Sequence, residues 1–551
     1  MGFPVLFPAL EYRLPNRYVE RGREQNDQTD QTAPSDFTDP PDAHGEHEPA
    51  YPANMNRRTF IQTCGLAAGS ALLPALGGAN GKRKGKTMSG PNILWLMTDE
   101  QRTDSMGCYG SSWAQTPNLD RLADRGTRFK TAVVPSPVCI PSRTSVLTAK
   151  YPHTTGTWAN AHNKRLEANL LEPFHAAGYR SASFGKQHYD LRGRVFQEEK
   201  GIGEKHQAVG CIGYRKPYHG DDYGQVQHPG PLPWILAGVY PEGPETRCEY
   251  QVVDGCIDWL KNNGADGPFF LRASFPGPHT PVVPPKPFDT LIDDADIDLP
   301  PPEECTPPNG CPEWLSKKLA ATHGASVYTP DQIRRMRRHY YGNMAFLDQQ
   351  FGRLLGWMEQ QGLLENTVIA FSSDHGTCLA DHGLVQKESL FESVVNVPFI
   401  VALPERMKAE RGTEIGTPVS LMSLLPTLLE IAGGPIPDGG EAPSLARSVT
   451  EGAEPEARPI LAEIEIGPAL YLQRNNLPIP DIQRDRSFHV MVRDGQWKYI
   501  HTVAGGPPEP ALFDLDADPG ETRNVADVPA NKAVVDRLAT LATLPRASVP
   551  A

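Results

Sequence analysis

Two apolar runs in this chain end in acids. Asn92-Ile93-Leu94-Trp95-Leu96-Met97 leads into Thr98-Asp99-Glu100, and Thr367-Val368-Ile369-Ala370-Phe371 leads into Ser372-Ser373-Asp374-His375. Carboxylates and an imidazole gathered at the ends of two buried strands repel one another strongly unless a cation sits among them. Asp99, Glu100, Asp374 and His375 are therefore candidate metal ligands. Between the two pairs lies a cysteine at a candidate helix start. Cys139-Ile140-Pro141-Ser142-Arg143 opens a stretch that runs through Thr144, Thr148, Tyr151, Pro152 and His153 to Gly156. Pro141 and Ser142 suit a helix N-terminus, where free N–H groups and the positive end of the dipole favour an oxyanion. Basic groups follow further runs: Lys186 and His188 after Arg180 to Phe184, and His279 after Phe269 to Phe275.

The elements that must position these groups are legible as short apolar strands alternating with helical patterns. In open parallel sheets the ligand site lies beyond the carboxyl ends of the strands, so one catalytic edge is expected. The segment before the second acidic strand reads as a long helix packed on that sheet. Thr329 is its N-cap, Pro330 stands in its first turn, and Ile333, Met336, Tyr340, Met344, Leu347, Phe351 and Leu354 recur every three or four residues. Its Arg334, Arg335, Arg337 and Arg338 are expected on a solvated face. A helix through Leu424 to Leu429 closes the core. The chain then becomes rich in Gly, Pro and Ala until about residue 458. Alternation in Phe488 to Tyr499 and around Leu512 to Leu515 predicts a small antiparallel sheet at the C-terminus.

The Cys139 to Gly156 stretch closely resembles the signature of the type I sulfatases. In that family the motif cysteine is oxidised to Cα-formylglycine and the aldehyde hydrate is the nucleophile, which carries over to Cys139, with Arg143 holding the hydrate and a metal-bound oxygen. The resemblance implies a divalent metal, Ca²⁺, at Asp99, Glu100, Asp374, His375 and the Cys139 position. Glu100 stands where Asp is common, and the imidazole of His375 leaves Mg²⁺ or Mn²⁺ open. Gly185-Lys186-Gln187-His188 resembles the family's GKxH element, whose Lys and His contact hydrate and sulfate. Its Gln187 and Tyr189 are closer to the choline-sulfatase and phosphonate-hydrolase branches. Pro278-His279-Thr280-Pro281 and the loop from Asp381 to Lys387 match elements that place His279 and Lys387 on the leaving oxygen. Asn160 and His382 are further substrate-binding candidates. Gly495 to Tyr499 and Leu512 to Pro519 resemble the family's closing strings, so the resemblance spans roughly residues 91 to 526.

The fold implied is α/β, a large mixed, mostly parallel sheet flanked by helices in the alkaline-phosphatase-like manner. A smaller C-terminal α+β subdomain built on the antiparallel sheet completes it. Boundaries are expected at 88–434 for the catalytic domain and 435–551 for the C-terminal subdomain. Residues 1–54 are rich in Pro, Asp, Glu, Gln and His and read as disordered, an over-extended start ahead of Met55. Residues 55–80, with Arg57-Arg58, a weakly apolar stretch and small residues, read as a twin-arginine signal, and hence an exported, periplasmic or extracellular protein served by that machinery. The stretch is too short for stable membrane insertion.

Lys plus Arg total 53 against 66 Asp plus Glu, a net charge of −13, which argues against nucleic-acid or anionic-membrane binding. Nine cysteines without a CxxC pair are expected to be mostly buried thiols. The functional expectation is a sulfatase matured by a formylglycine-generating enzyme and acting on a sulfated carbohydrate. Insertions at 190–250 and 282–328 carry Tyr214, Tyr218, His219, Asp221, Tyr223, Trp234, Tyr240 and Trp314, which could line the pocket or only anchor the loops. A phosphonate monoester or phosphodiester hydrolase, a choline sulfatase and a non-catalytic sulfoglycan-binding protein stay open as alternatives.

Overall fold

The computed structural model describes residues 90–160, 169–202, 226–227, 235–264, 267–300, 306–308, 310–407, 409–467 and 485–543, all in one compact unit. The expected leader at 1–54 and the twin-arginine segment at 55–80 lie outside the described residues.

A nine-stranded sheet organises the chain. Its principal strands are β1 (Asn92–Thr98), β2 (Thr127–Val133), β3 (Arg180–Gly185), β4 (Glu198–Gly201), β5 (Phe269–Ser274), β6 (Thr367–Ser373), β7 (Asn396–Ala402) and β8 (Thr413–Ile415). They lie in the order β8-β2-β7-β6-β1-β5-β3-β4, and Val419–Ser420 also pairs with β2. The run from β6 to β4 is parallel throughout, whereas β7 is antiparallel to both β2 and β6. The sheet is therefore mixed and mostly parallel, as expected.

Five helices cover its two faces: α1 (Pro117–Arg125), α2 (Cys139–Thr148), α3 (Cys248–Asn263), α4 (Pro330–Gln360) and α5 (Leu424–Ile431). The period of two along β1 explains why its run is continuously apolar. Ile93, Trp95 and Met97 pack in one core with Val146 of α2 and Leu424 and Leu428 of α5. Leu94 and Leu96 pack in the other with Leu119 of α1, Val252 of α3 and Met344 and Leu347 of α4. Each such side chain, fully removed from water, contributes about 1.5–3 kcal/mol before entropy is charged against it.

The C-terminal sheet is antiparallel, in the order β9 (Ile460–Ile466), β10 (Ser487–Asp494), β11 (Trp497–Ala504) and β12 (Ala511–Asp514). One face, with Ile464, Met491, Ile500 and Phe513, joins the α2/α5 core. The other, with Val490, Val492 and Leu512, is closed by Leu538 of α6 (Lys532–Leu541).

Helix α4 begins where the sequence indicates, with a capping box. The Thr329 side chain accepts from Gln332 N at 3.2 Å, and the Gln332 side chain accepts from Thr329 N at 2.9 Å. Two of its arginines depart from the solvated face expected of them, whereas Arg334 keeps to the surface, paired with exposed Asp331. Arg337 is buried, donates to Asp298 O at 3.0 Å and pairs with Asp381 at 3.5 Å, while Arg338 pairs with Asp294. The reason is a second apolar face on α4: Tyr341, Ala345 and Phe346 hold Phe288, Leu291 and Ile297, which lays a loop across the arginines. Thr329→Ala should lower unfolding stability by about 1 kcal/mol, read as a shift in urea midpoint, with Thr329→Ser keeping most of it; an unchanged midpoint in the alanine variant would count against the capping box.

Candidate active site

Register brings the acids together. Thr98 of β1 sits opposite Ser373 of β6, so the next residues, Asp99 and Asp374, leave adjacent parallel strands side by side. On the other side Gly185 of β3 is opposite Ser274 of β5, which delivers Lys186 to the same edge. Asp374 N donates to Thr98 O at 3.3 Å and Asp99 N to Gly277 O at 3.2 Å, continuing the ladder past the strand ends.

Cys139 opens α2 and is 1% exposed. Ile140 N donates to Asn160 Oδ1 at 3.0 Å, so Asn160, expected near the substrate, here occupies a free amide at the start of that helix. The Cys139 Sγ lies 3.2 Å from His375 Nε2, 3.2 Å from Lys387 Nζ, 3.6 Å from Lys186 Nζ and 3.8 Å from Asp99 Oδ1. Burial alone would raise the thiol's pKa, but the Lys186 and Lys387 ammonium groups, His375 and a hydrogen bond with His188 outweigh it and hold it well below the usual range. The position is thus built for a group carrying negative charge.

Arg143, one turn further along α2, is fully buried. Its Nε donates to Asp374 Oδ2 at 2.7 Å and its Nη2 to Asp99 Oδ2 at 3.0 Å, while Nη1 reaches Lys186 O at 3.0 Å and Ser274 Oγ at 2.9 Å. Each aspartate gives one oxygen to Arg143, and Lys186 also pairs with Asp99 Oδ2. The other oxygens face the sulfur and the imidazole: Asp99 Oδ1 toward Cys139, and Asp374 Oδ1 at 3.7 Å from His375 Nε2. His375 Nδ1 donates to Gly376 O at 2.8 Å, which leaves Nε2 as a ligand atom.

Asp99, Cys139, Asp374 and His375 each offer a ligand atom within 4.8 Å of the others. Two inward carboxylate oxygens and a tautomerically fixed imidazole fit a divalent cation. Asp374 and Cys139 raise the His375 pKa to about 9 against the opposing effect of burial.

Glu100 stands apart from that quartet. It holds a positive φ of 65°, its Oε2 accepts from Thr280 N and Oγ1 at 3.1 and 3.2 Å, and its Oε1 lies 2.9 Å from Lys387 Nζ and 3.3 Å from His279 Nε2. Tyr340 of α4 donates to Glu100 O at 2.7 Å and pins the turn. Lys387 Nζ is 2.8 Å from His279 Nε2, and His279 Nδ1 donates to Thr280 O, so the ammonium proton is shared toward Nε2. Glu100 also falls in a second possible metal group with Asp99 and His279. His188 is half-buried at φ 41°; burial, then Lys186, lowers its pKa, which keeps the imidazole neutral beside Cys139.

His382 lies against Phe391, the rings stacked at 3.6 Å. Ser274 and Thr280 are contributors the sequence reading did not single out, although Ser274 ends a buried run and Thr280 lies inside the loop of His279. Of the aromatics on the insertions, Tyr240 is buried against Arg247 and bonds Thr246, and Trp314 is buried and stacks on His489 at 3.8 Å, so both anchor loops. Tyr214, Tyr218, His219, Asp221, Tyr223 and Trp234 lie outside the described residues.

A mixed sheet covered by helices on both faces, with acids, a buried cysteine and three cations at its carboxyl edge, defines an alkaline-phosphatase-like hydrolase. The Sulfatase family model matches residues 91–434, and a model described as N-sulphoglucosamine sulphohydrolase, C-terminal, matches residues 380–545. An arylsulfatase of Clostridium perfringens is 27% identical over 480 residues, covering 81% of this chain and 92% of its own. An N-acetylglucosamine-6-O-sulfatase of Bacteroides thetaiotaomicron is 25% identical over 496 residues, covering 79% and 82%. The crystal structure of a phosphonate monoester hydrolase of Agrobacterium radiobacter superposes with a TM-score of 0.65 at 22% identity, over 82% of this chain and 94% of that one, a likeness of fold. The chain belongs to the sulfatase family and with it to the sulfuric ester hydrolases.

Burial, opposed by Asp381, lowers the pKa of His382 to about 4 from an ordinary 6.5. The unfolded chain therefore takes up this proton first. Stability should be unaffected by it above pH 6.5, fall as the pH drops from 6.5 to 4, and level off below. His382→Gln should show a smaller loss of stability over that interval in urea titrations at fixed pH; an equal loss would show that the ring is not held neutral.

Proposed function

We propose that this protein hydrolyses sulfate esters of carbohydrates with a Cα-formylglycine made from Cys139 and a Ca²⁺ ion held by Asp99, Asp374 and His375, with Glu100 beside them. The observation that carries the reading is the environment of Sγ, which marks where the formylglycine oxygens would sit. It is a buried helix start ringed by two lysines, two histidines and the inward oxygen of Asp99. When bound, the cation and the aldehyde hydrate supply charge neutralisation and a nucleophilic oxygen.

The chain's own groups divide the remaining work. Arg143 fixes both aspartates and so the direction of their inward oxygens. Lys186 balances negative charge at position 139 and at a sulfate oxygen. Neutral His188 accepts the proton that the nucleophilic group must lose. Lys387 Nζ, hydrogen-bonded to His279 Nε2, donates a proton to the departing alkoxide, because an alcohol is a poor leaving group at neutral pH. Glu100 Oε1, 2.9 Å from Lys387 Nζ, holds that amine beside His279.

Carbohydrate as the leaving group is supported by sugar-sulfatase relatives such as that of B. thetaiotaomicron. The export reading is supported by Arg57-Arg58 ahead of β1 in the sequence and by Cys248, which is disulfide-bonded as expected in an oxidising compartment. Among the described residues no helix is long and apolar enough to cross a membrane. A formylglycine-generating enzyme and the twin-arginine machinery are then the partners required, the oxidation of Cys139 preceding export because that route carries folded protein.

Cys139→Ala should lower kcat/KM on an aryl sulfate by at least about 10³-fold with an unchanged melting temperature. Chelation should inactivate the wild type, and Ca²⁺ should restore it better than Mn²⁺ or Zn²⁺. Near-normal turnover in the alanine variant would contradict the formylglycine reading, restoration by Mn²⁺ alone the choice of metal, and preference for an aryl phosphonate over an aryl sulfate the choice of ester.

A further inference from the structure

We propose that Glu388, held by His323, is a leaving-group subsite that accepts hydrogen bonds from hydroxyl or ammonium groups of the substrate alcohol and disfavours a second anion beside the scissile ester. The inference deepens the sulfatase reading above and rests on it. Glu388 follows Lys387, whose Nζ lies 3.2 Å from Cys139 Sγ. Its φ of 74° is a conformation that non-glycine residues seldom adopt, and its N–H donates to Pro137 O at 3.4 Å, two residues before Cys139. The side chain stays partly exposed, and the charges of Lys387 and Cys139 both act on its carboxylate, which places it beside the reacting position.

Exposure separates Glu388 from the other acids of this edge. Its side chain is 40% exposed, whereas those of Asp99 and Glu100 are wholly buried and paired with Arg143, Lys186 or Lys387. The partner of Glu388 is instead His323, with Nε2 at 3.4 Å from Oε2 and a side chain only 8% exposed. Burial would raise the Glu388 pKa, but the hydrogen bond and charge of His323, followed by Lys387, hold it lower, so the group is a carboxylate at neutral pH.

The position of His323 is fixed from outside the catalytic loop. It ends the helical turn Ala320–His323, and Gly324 bridges to Leu384 on the loop that carries Lys387. The segment before it is bound to the C-terminal sheet. Trp314 stacks on His489, Asn524 Nδ2 donates to Gly310 O at 2.8 Å, and Glu313 N donates to Glu509 Oε2 at 2.7 Å. A carboxylate whose partner and backbone are both held costs little to order when a ligand arrives. The inner end of the cleft is cationic and receives the sulfate; its rim carries an acceptor-only anion. That polarity suits a substrate whose one negative charge is the ester to be cleaved, on an alcohol bearing hydrogen-bond donors.

The test compares kcat and KM of the wild type, Glu388→Gln and His323→Gln on a neutral hexose 6-sulfate, a hexuronic acid 2-sulfate and 4-nitrophenyl sulfate. The wild type should favour the hexose over the uronate in kcat/KM by about tenfold or more. Glu388→Gln should bring that ratio to within about threefold, mainly through KM, and His323→Gln should move it the same way by less, with melting temperatures unchanged. An unchanged ratio in Glu388→Gln, a wild type that favours the uronate, or an equal loss on all three esters would overturn the subsite. Turnover of an aryl phosphonate with none of the aryl sulfate would instead remove the sulfatase reading, and the subsite with it.

Discussion

The bidentate grip of Arg143 on Asp99 and Asp374 is the interaction on which the active edge depends. Three carboxylates, Asp99, Glu100 and Asp374, are buried within a few residues of two strand ends, and water cannot screen them. Arg143 takes one oxygen of each aspartate, and its planar fork does this from a single position in α2. A lysine there could not span both. Removing such a partner from buried charges costs about 3–5 kcal/mol, because the charges left behind have neither water nor a counterion. The grip has a chemical consequence as well. With the outer oxygens committed, the inner ones face the Cys139 sulfur and the His375 imidazole, so the candidate donor set is held in place by the protein itself.

The C-terminal sheet holds this edge from behind. His153, in the Tyr151-Pro152-His153 turn after α2, places Nδ1 2.6 Å from Glu463 Oε1 on β9, and its backbone N–H reaches Glu463 Oε2 at 2.8 Å. Lys498 of β11 is fully buried and pairs with Glu521 at 2.6 Å and Glu392 at 3.2 Å, a few residues past Lys387. Burial raises the Glu521 pKa to about 7 in spite of Lys498. Both networks join the segments that carry Cys139 and Lys387 to one antiparallel unit. The small sheet and the catalytic sheet thus share a core, with Ile464, Met491 and Phe513 packed among residues of α2 and α5.

Much of the site was legible because its groups follow continuous apolar runs, and such a run bounded by ligand-type residues reads as a buried strand with its end at a ligand site. Asp99, Lys186 and Asp374 were accessible in this way, and Cys139 through its motif. Strands β2, β7 and β9 escaped notice for the converse reason. In β2, Arg128 and Lys130 interrupt the apolar pattern of a strand that is not fully buried, and β7 follows Val394-Val395 with no turn signal before it. The burial of Arg337 could not be read from helical spacing, since it follows from Phe288 and Leu291 packing from a distant loop. The placement of Glu100 beside Lys387 and Thr280, apart from the quartet of Asp99, Cys139, Asp374 and His375, depends on a positive φ that no local pattern announces. His323 and Glu388, 65 positions apart, likewise meet only through tertiary structure.

The central claim is that position 139 is prepared for an oxygen nucleophile rather than a thiol. Its most direct test is the mass of the peptide containing Cys139 from protein produced in a host able to oxidise the motif. Conversion of the CH₂SH side chain to CHO removes sulfur and two hydrogens and adds one oxygen. The account predicts that this lighter peptide, with an aldehyde that reacts with hydrazide reagents, accounts for the activity of the preparation. An unmodified Cys139 peptide in a fully active preparation would contradict it.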